Sequence, residues 1–292
     1  MKGVIIKAIA GFYYVEVGNT VYECRSRGNF RNSGISPLVG DIVEFEVLNS
    51  KGVIEKVYDR KNYLIRPALA NIDKLFIVQS FVNPSVNLYL TDRIIAICEE
   101  KNIEPILIFN KTDLGDFGKV VDIYRNIGYK SICSSCVNEE GIDEIKNLLN
   151  GGLSVFTGNS GVGKSSILNK ILPDRQLQTG AVSEKLGRGR HTTRHIELFK
   201  FNNSYIADTP GFSALDLQDY EITDKLNLQY CFKEFDDCLG NCKFTSCTHT
   251  AEKGCAVLDA VSNSLIAKSR HDSYVKLYNE LKTIKSWEIK KK

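Results

Sequence analysis

Residues 158–165, Gly-Asn-Ser-Gly-Val-Gly-Lys-Ser, decide the fold of the central part of the chain. The spacing Gly-x4-Gly-Lys-Ser matches a phosphate-binding loop, in which a strand leads through a tight turn into a helix. An apolar stretch, Leu153 to Thr157, precedes the loop and a candidate helix follows it. Glycines let backbone N–H groups close around phosphate oxygens at a helix N-terminus, where the helix dipole favours negative charge. The stretch therefore predicts a nucleotide site rather than a turn that merely caps a helix.

Within this loop, Lys164 is expected to reach the β- and γ-phosphates, and the Ser165 hydroxyl to ligate Mg²⁺. The residues assigned to the nucleotide from this stretch are Gly158, Asn159, Ser160, Gly161, Val162, Gly163, Lys164, Ser165 and Ser166.

The tetrad Asn110-Lys111-Thr112-Asp113 supplies the specificity for the base and follows another apolar stretch, Pro105 to Phe109. The Asp113 carboxylate can accept from guanine N1–H and N2–H2, a donor pair that adenine lacks. Lys111 can lie along the base, while Asn110 braces the neighbouring loops. Ser134, Ser135 and Cys136 end the next predicted strand and offer a backbone N–H to guanine O6. Alone, such a tetrad is often an ordinary turn, but its place after an apolar strand favours guanine recognition.

The order of these two motifs is inverted. In an ordinary GTPase the phosphate loop precedes the guanine tetrad, whereas here the tetrad comes first. Strands and helices alternate from residue 71 onward, which indicates an open, largely parallel sheet with ligands at the carboxyl ends of its strands. Because the termini of an α/β domain can lie close together, the chain can be rejoined without disturbing the sheet. The sequence therefore predicts a circularly permuted P-loop GTPase domain of the α/β class, over residues 67–217.

Asp208-Thr209-Pro210-Gly211 follows a predicted strand downstream of the phosphate loop. Asp208 is expected to hold Mg²⁺ through water, and the Gly211 N–H to contact the γ-phosphate. Permutation leaves this second switch near the end of the domain. We therefore expect nucleotide-dependent movement there to reposition the module that follows.

The basic stretch Gly187 to Arg194 lies between the phosphate loop and Asp208 and fits the first switch. Thr193, or with less support Thr192, would add a hydroxyl ligand to Mg²⁺; the alternative is a basic surface loop. Phe212 stands where many GTPases place a water-orienting glutamine. A phenyl ring cannot orient or deprotonate water, so intrinsic hydrolysis should be slow and the catalytic group should come from elsewhere.

Composition sets broad limits on the class of protein. The 292 residues include 43% hydrophobic and 25% charged residues, as in ordinary globular proteins. No apolar run has membrane-spanning length and no signal-peptide core is present, so we expect a cytoplasmic protein with no membrane partner. The net charge of +3 is too small to prove a nucleic-acid partner.

Residues 1–66 contain five short segments with strand character, separated by Gly, Asn and Ser turns. This pattern predicts an OB-like β-barrel, with an SH3-like barrel as a rival that the sequence does not separate. Arg25, Arg27 and Arg31 surround Phe30 in the loop that leaves the third strand. Basic groups beside an aromatic ring are candidates for RNA binding, and a solvated loop is the alternative.

Residues 218–292 show no strand pattern and are predicted to form a helical zinc-binding domain. Cys242-x4-Cys247-x-His249-x5-Cys255 brings three thiolates and one imidazole into a short segment. This set suits tetrahedral zinc, and a closed four-ligand site is structural rather than catalytic. Disulfides are disfavoured in the cytosol, which supports metal binding over oxidation. Cys238 is a near-miss that would replace a ligand if the loop geometry differed.

The nucleotide motifs resemble the five G motifs of the translation-factor-related GTPases, in the order fourth, fifth, first, second, third. With the leading Arg66-Pro67-x3-Asn71-Ile72-Asp73 and the trailing Cys/His cluster, they closely resemble the ribosome small-subunit-dependent GTPases of bacteria, the YjeQ/YloQ type. The resemblance covers essentially the whole chain. It implies zinc at the four Cys/His positions and His191, in the first switch, as the catalytic group.

The same resemblance implies a GTPase that docks on the small ribosomal subunit and its rRNA during late maturation. Hydrolysis would be stimulated by the subunit and coupled to release, and we expect a monomer. Two other functions fit the residues: an RNA-binding switch in which turnover does not matter, and a GTPase with a protein or tRNA client. Phe212 discriminates among them, because slow intrinsic turnover predicts strong stimulation by the true partner.

Overall fold

The computed structural model describes residues 1–27, 30, 36–48, 51–80, 82–173, 196–208 and 225–283. Arg31, His191, Thr193, Gly211 and Phe212 lie outside the described residues. Within the described ranges, no helix is both long enough and apolar enough to cross a membrane.

The N-terminal strands form a closed five-stranded barrel. Its strands are β1 (Lys2–Ile9), β2 (Phe12–Val17), β3 (Thr20–Ser26), β4 (Ile42–Leu48) and β5 (Lys51–Val57). Strands β3 and β5 pair in parallel, and β4 pairs with both β5 and β1, which closes the ring. Alternate residues such as Ile5, Val15 and Phe45 are fully buried inside it. This ring confirms the OB-like barrel.

A linker with a short hairpin follows the barrel. Strands β6 (Tyr63–Leu64) and β7 (Leu69–Ala70) form the hairpin. Asn71 donates from Nδ2 to the Gly40 carbonyl of the barrel at 3.0 Å and accepts from the Lys61 N–H, also at 3.0 Å. Asp73 accepts from the Leu153 N–H at 2.7 Å, which ties the linker to the central sheet. The Asn71-Ile72-Asp73 part of the sequence motif is therefore a structural joint.

The central domain is a sheet flanked by helices on both faces. Its strands are β8 (Lys74–Ser80), β9 (Glu104–Asn110), β10 (Lys130–Ser134), β11 (Gly152–Thr157), β12 (Glu197–Phe201) and β13 (Ser204–Asp208). The spatial order is β10-β9-β8-β11-β13-β12, parallel from β10 to β13, with β12 antiparallel to β13. The helices are α1 (Leu88–Glu100), α2 (Gly118–Ile127), α3 (Ile142–Leu148) and α4 (Lys164–Ile171).

This sheet confirms the predicted α/β architecture of the central domain. The tetrad-bearing strand β9 and the loop-bearing strand β11 flank β8, although about fifty residues of sequence separate their motifs. Helix α3 escaped the sequence analysis because its seven residues bury only Ile142 and Ile145, too few to reveal a period.

In residues 225–283, the described part of the C-terminal module, two 3₁₀ helices, Leu228–Cys231 and Lys233–Cys238, are followed by α5 (Ala256–Ser262) and α6 (Lys268–Thr283). Phe232, Phe235 and Tyr274 pack against one another in its core. Its described part is helical, as predicted, and it packs onto α1 of the central domain.

Candidate nucleotide site and candidate metal centre

The phosphate-loop segment connects β11 to α4, as its sequence predicted. Gly158, Gly161 and Gly163 adopt positive φ angles of 148°, 83° and 99°. A Cβ on Gly158 would lie 2.2 Å from the Val78 carbonyl oxygen, and one on Gly163 would lie 2.1 Å from Asn110 Nδ2. Neither position has room for a side chain, so both the turn and its contact with neighbouring strands require glycine.

Polar groups line this loop. The Lys164 ammonium donates to the carbonyls of Gly158 at 2.5 Å and Asn159 at 2.9 Å, which holds it across the loop. Ser165 and Ser166 lie half-buried in the first turn of α4. The side-chain oxygen of Asn159 is buried without a hydrogen-bond partner. Such an orphaned polar atom beside a ring of glycines fits a loop built to enclose a polar ligand.

Asn110 joins three parts of the site. Its side chain donates from Nδ2 to the Val162 carbonyl in the phosphate loop at 2.8 Å. Its Oδ1 accepts from the Ser134 hydroxyl, at the end of β10, at 3.1 Å. Asn110 is only 2% exposed, so these hydrogen bonds are shielded from water. The bracing role expected for Asn110 is visible as two hydrogen bonds.

The rest of the tetrad is held by the loop after β10. Asp113 Oδ1 accepts from the Ser135 hydroxyl at 2.6 Å, while the Ser135 N–H donates to the Glu140 carbonyl at 3.1 Å. The Ser135 N–H is therefore already engaged within the protein, and the base contact expected from residues 134–136 stays a prediction. Glu140 also accepts from the Thr112 hydroxyl at 2.9 Å. Sequence analysis missed Glu140, since no motif marks an acidic residue at this position.

Lys111, within the tetrad, contacts the loop after β8, and Cys136 lies in the loop after β10. The Lys111 ammonium donates to the Asn83 carbonyl at 2.7 Å and the Val82 carbonyl at 3.2 Å, in the loop after β8. Burial raises the pKa of the Cys136 thiol, and nearby Lys170 opposes that rise. Cys136 is therefore held as a neutral thiol.

The residues proposed for magnesium are only partly described. The backbone of β13 ends at Asp208, and β13 lies parallel and next to β11. The carboxyl ends of both strands therefore point to the edge where the phosphate loop begins. Ser165 lies on that edge in α4, while Thr193 is outside the described residues.

The Cys/His cluster comes together as the sequence predicted. The ligand atoms of Cys242, Cys247, His249 and Cys255 all lie within 4.8 Å of one another. Cys242 Sγ is 3.9 Å from Cys255 Sγ, and His249 Nδ1 is 3.6 Å from Cys242 Sγ and 3.4 Å from Cys255 Sγ. Zinc–sulfur and zinc–nitrogen bonds of usual length give tetrahedron edges of about 3.8 and 3.6 Å. The cluster therefore fits a tetrahedral ion, and Cys238 is not part of it.

Surrounding groups orient these ligands. His249 Nε2 lies 2.9 Å from Gln229 Oε1, which assigns the ring proton to Nε2 and turns Nδ1 toward the sulfurs. Burial lowers the pKa of His249, which favours the neutral imidazole that a metal requires. The Ala256 N–H points at Cys242 Sγ from 3.4 Å. Gln229 has no signal in the sequence, because it lies twenty residues before the histidine.

Two of the three candidate RNA-binding arginines can be located. The Arg25 guanidinium lies over the Phe12 ring at 4.3 Å. Arg27 pairs with Glu55 at 2.7 Å, with 55% of its side chain exposed. Arg31 is outside the described residues. Arg25 is thus supported on the barrel by an aromatic ring, whereas Glu55 offsets the charge of Arg27.

Comparison with known proteins gives matches along nearly the whole chain. The profile of the RsgA GTPase family matches residues 57–218, and that of the RsgA N-terminal domain matches residues 2–54. A protein of Clostridium botulinum (strain 657 / Type Ba4), named small ribosomal subunit biogenesis GTPase RsgA, is 44% identical over 287 residues, which cover 96% of this chain and 97% of the relative. The protein of that name from Clostridium novyi (strain NT) is 46% identical over 285 residues, with the same coverage of both chains.

Two solved structures share the architecture. YjeQ from Thermotoga maritima superposes with a TM-score of 0.83 at 33% identity, covering 97% of this chain and 99% of that one. YloQ, described as a circularly permuted GTPase, superposes with a TM-score of 0.79 at 35% identity, covering 96% and 94%.

Proposed function

The chain belongs to the RsgA GTPase family and is a GTP hydrolase of ribosome biogenesis, and from this premise we propose its partner and its cycle. It binds the small ribosomal subunit and its rRNA, and it hydrolyses GTP during late maturation of the subunit. The subunit stimulates hydrolysis, and hydrolysis releases the protein. The protein binds the subunit and hydrolyses GTP in the cytoplasm, and it acts as a monomer.

One observation carries the nucleotide part of the proposal. Asn110 connects the tetrad, the phosphate loop and the end of β10 through buried hydrogen bonds. Three motifs with separate tasks in guanine recognition and phosphate binding thus meet at one edge of the sheet. We propose that GTP and GDP bind there, with Asp113 on the guanine edge and Lys164 on the phosphates.

Magnesium would be held together with GTP by oxygen ligands. The hydroxyls of Ser165 and Thr193 and the carboxylate of Asp208 are the hard ligands that this ion prefers. When bound, Mg²⁺ neutralises charge on the β- and γ-phosphate oxygens. Phe212 occupies the position where many GTPases have a glutamine, and its ring can neither position nor deprotonate water. His191 is proposed to act on the attacking water instead.

Each of the three modules has a separate proposed role. We propose boundaries near residues 66 and 217, with a structural zinc ion in the last module at Cys242, Cys247, His249 and Cys255. Arg25, Arg27 and Arg31 on the barrel would contact phosphates or bases of rRNA. Membership of a GTPase family disfavours an RNA-binding switch without turnover. A protein or tRNA client remains the competing partner.

The decisive experiment measures GTP hydrolysis with and without purified small ribosomal subunits, across a range of salt concentrations. Slow intrinsic turnover and strong stimulation, weakening as salt rises, are expected because contacts with phosphates release counterions. A lack of both binding and stimulation would overturn the proposed partner, and tRNA in the same assay tests the competing one.

A second arm of this experiment tests the catalytic histidine. His191→Ala should lower stimulated turnover while leaving the affinity for GTP unchanged, since the side chain is proposed to act on water. Unchanged stimulated turnover would remove His191 from the mechanism.

A further inference from the structure

The barrel and the central sheet meet at the hairpin formed by β12 and β13. Strand β1 pairs antiparallel with β12 at Lys7 and Glu197, whose side chains form an ion pair at 3.1 Å. The hairpin lies in a sensitive place, because β12 directly follows the segment proposed as the first switch. Its other strand, β13, ends at Asp208, proposed for magnesium.

A single carboxylate of the barrel holds both strands of this hairpin. Glu16, on β2, accepts a hydrogen bond from the Tyr205 hydroxyl and pairs with Lys200 Nζ at 3.1 Å. Lys200 and Tyr205 are directly opposite each other across β12 and β13. Lys200 also donates to the Gly18 carbonyl at 2.7 Å. Glu16 therefore fixes one rung of the hairpin from outside the central domain.

The local chemistry keeps this contact intact. The Glu16 side chain is only 13% exposed, so its interactions are partly shielded from water and salt. Burial, followed by the hydrogen bond to Glu16, raises the pKa of the Tyr205 phenol. The phenol stays protonated at neutral pH and remains a donor.

The rung held by Glu16 is connected to the catalytic edge by a short, paired ladder. The next rungs lead to Glu197 opposite Asp208, three residues along each strand from Lys200 and Tyr205. At about 3.3 Å per residue, the two rungs are roughly 10 Å apart. If the Lys200–Tyr205 pair shifts, the two strands carry that shift to both switch segments. Misplacement of a reacting group by about 1 Å can lower the rate of a reaction strongly.

We propose that Glu16 is a positioning residue for GTP hydrolysis, acting through Lys200 and Tyr205 on the hairpin that joins the two switch segments. The barrel thereby completes the hydrolytic site from outside the central domain. This inference rests on the proposed roles of the switches but does not depend on the ribosomal partner.

The test compares steady-state kinetics of intrinsic GTP hydrolysis in full-length variants. Glu16→Ala should lower kcat by about tenfold while leaving KM and GTP affinity within about twofold, because the nucleotide contacts remain. Glu16→Gln keeps an acceptor for Tyr205 and should fall between Ala and wild type. Combining Glu16→Lys with Lys200→Glu should recover part of the loss in kcat suffered by either single change.

Glu44→Ala is the matched control, since Glu44 also accepts from a tyrosine of the barrel, Tyr58, at 3.5 Å but lies on β4. Its kcat should match wild type. Tyr205→Phe removes one hydroxyl and should lower kcat in the same direction, which keeps the test valid if Glu16→Ala misfolds.

Unchanged kcat in Glu16→Ala and Tyr205→Phe, or an equal fall in Glu44→Ala, would overturn the proposal. A rise in KM with kcat unchanged would also overturn it, since that result assigns Glu16 to binding. Repeating the assay with small subunits separates the two proposals. Absent stimulation of wild type refutes the ribosomal partner, while the intrinsic rates still decide the role of Glu16.

Discussion

The two outer modules are attached to the central domain in physically different ways. The C-terminal module docks on α1 through Arg270, which is 1% exposed and pairs with Asp92 at 2.7 Å and with Glu234 at 2.6 Å. The barrel meets the switch hairpin through Lys7–Glu197 and Lys200–Glu16, in which both lysines and Glu197 are more than a quarter exposed.

This difference separates a fixed attachment from an adjustable one. A buried charge that loses its partner is costly, so the Arg270 network resists opening. The Lys7–Glu197 pair is partly exposed on both sides, and such pairs are weak and salt-sensitive, so it can rearrange with the nucleotide. The sequence led us to expect that the second switch repositions the C-terminal module. Residues 209–224, which lead from that switch to the module, lie outside the described part of the chain, so this expectation stays a prediction. The described contacts connect the switch hairpin to the barrel.

Removing the metal should have the largest effect on the two attachments, because it should unfold the C-terminal module. Chelation should unfold the C-terminal module, because structural zinc contributes on the order of 10 kcal/mol of binding free energy to such small domains. Limited proteolysis should then cut within residues 225–283 while the barrel and GTP binding persist. Cys242→Ser should lose the metal and Cys238→Ser should keep it, as measured by metal analysis. Retained folding without metal would contradict the structural role.

Arg270→Met should cause the next largest loss of stability. It leaves Asp92 and Glu234 buried without a cation, at a cost of about 3–5 kcal/mol in the free energy of unfolding. The control on the same helix is Lys268→Ala, whose pair with Asp272 is exposed and should change stability by less than about 0.5 kcal/mol. Denaturant unfolding measures both. Equal effects would show that the buried network does not fix the module.

Asn71→Ala tests the linker, which joins the barrel to the central domain independently of the switch hairpin. It removes hydrogen bonds to Gly40 and Lys61, and we expect a loss of about 1–3 kcal/mol in the free energy of unfolding. The loss should be the same with and without GTP, because the linker does not contain a switch. A loss that depends on nucleotide, measured by thermal melting, would place the adjustable joint at the linker instead.

Lys7→Ala should have the smallest effect. Its ion pair with Glu197 is partly exposed, so the expected cost is below about 1 kcal/mol and should vanish at high salt. Thermal melting of Lys7→Ala and wild type at low and high salt measures this. A cost as large as that of Arg270→Met would remove the distinction between the two attachments.

Much of the candidate site could be predicted because its signals are local. The phosphate loop, the tetrad and the Cys/His cluster are short stretches in which spacing along the chain fixes spacing in space. Glu140 and Gln229 were missed because their contacts depend on loop geometry rather than on a repeated pattern. The hydrogen bond from the Ser135 N–H to the Glu140 carbonyl was missed for the same reason.

The sequence by itself determined the permuted α/β domain, its motifs and the four members of the Cys/His cluster, because apolar periodicity and residue spacing are properties of the chain. It left the type of barrel open, which the pairing of β3 with β5 and of β1 with β4 decided. Only the tertiary structure decided how the modules are joined. Asp92 and Arg270 are 178 residues apart, and Glu16 and Tyr205 are 189 apart. No local pattern encodes such pairs, because folding of the whole chain brings them together and burial sets their strength.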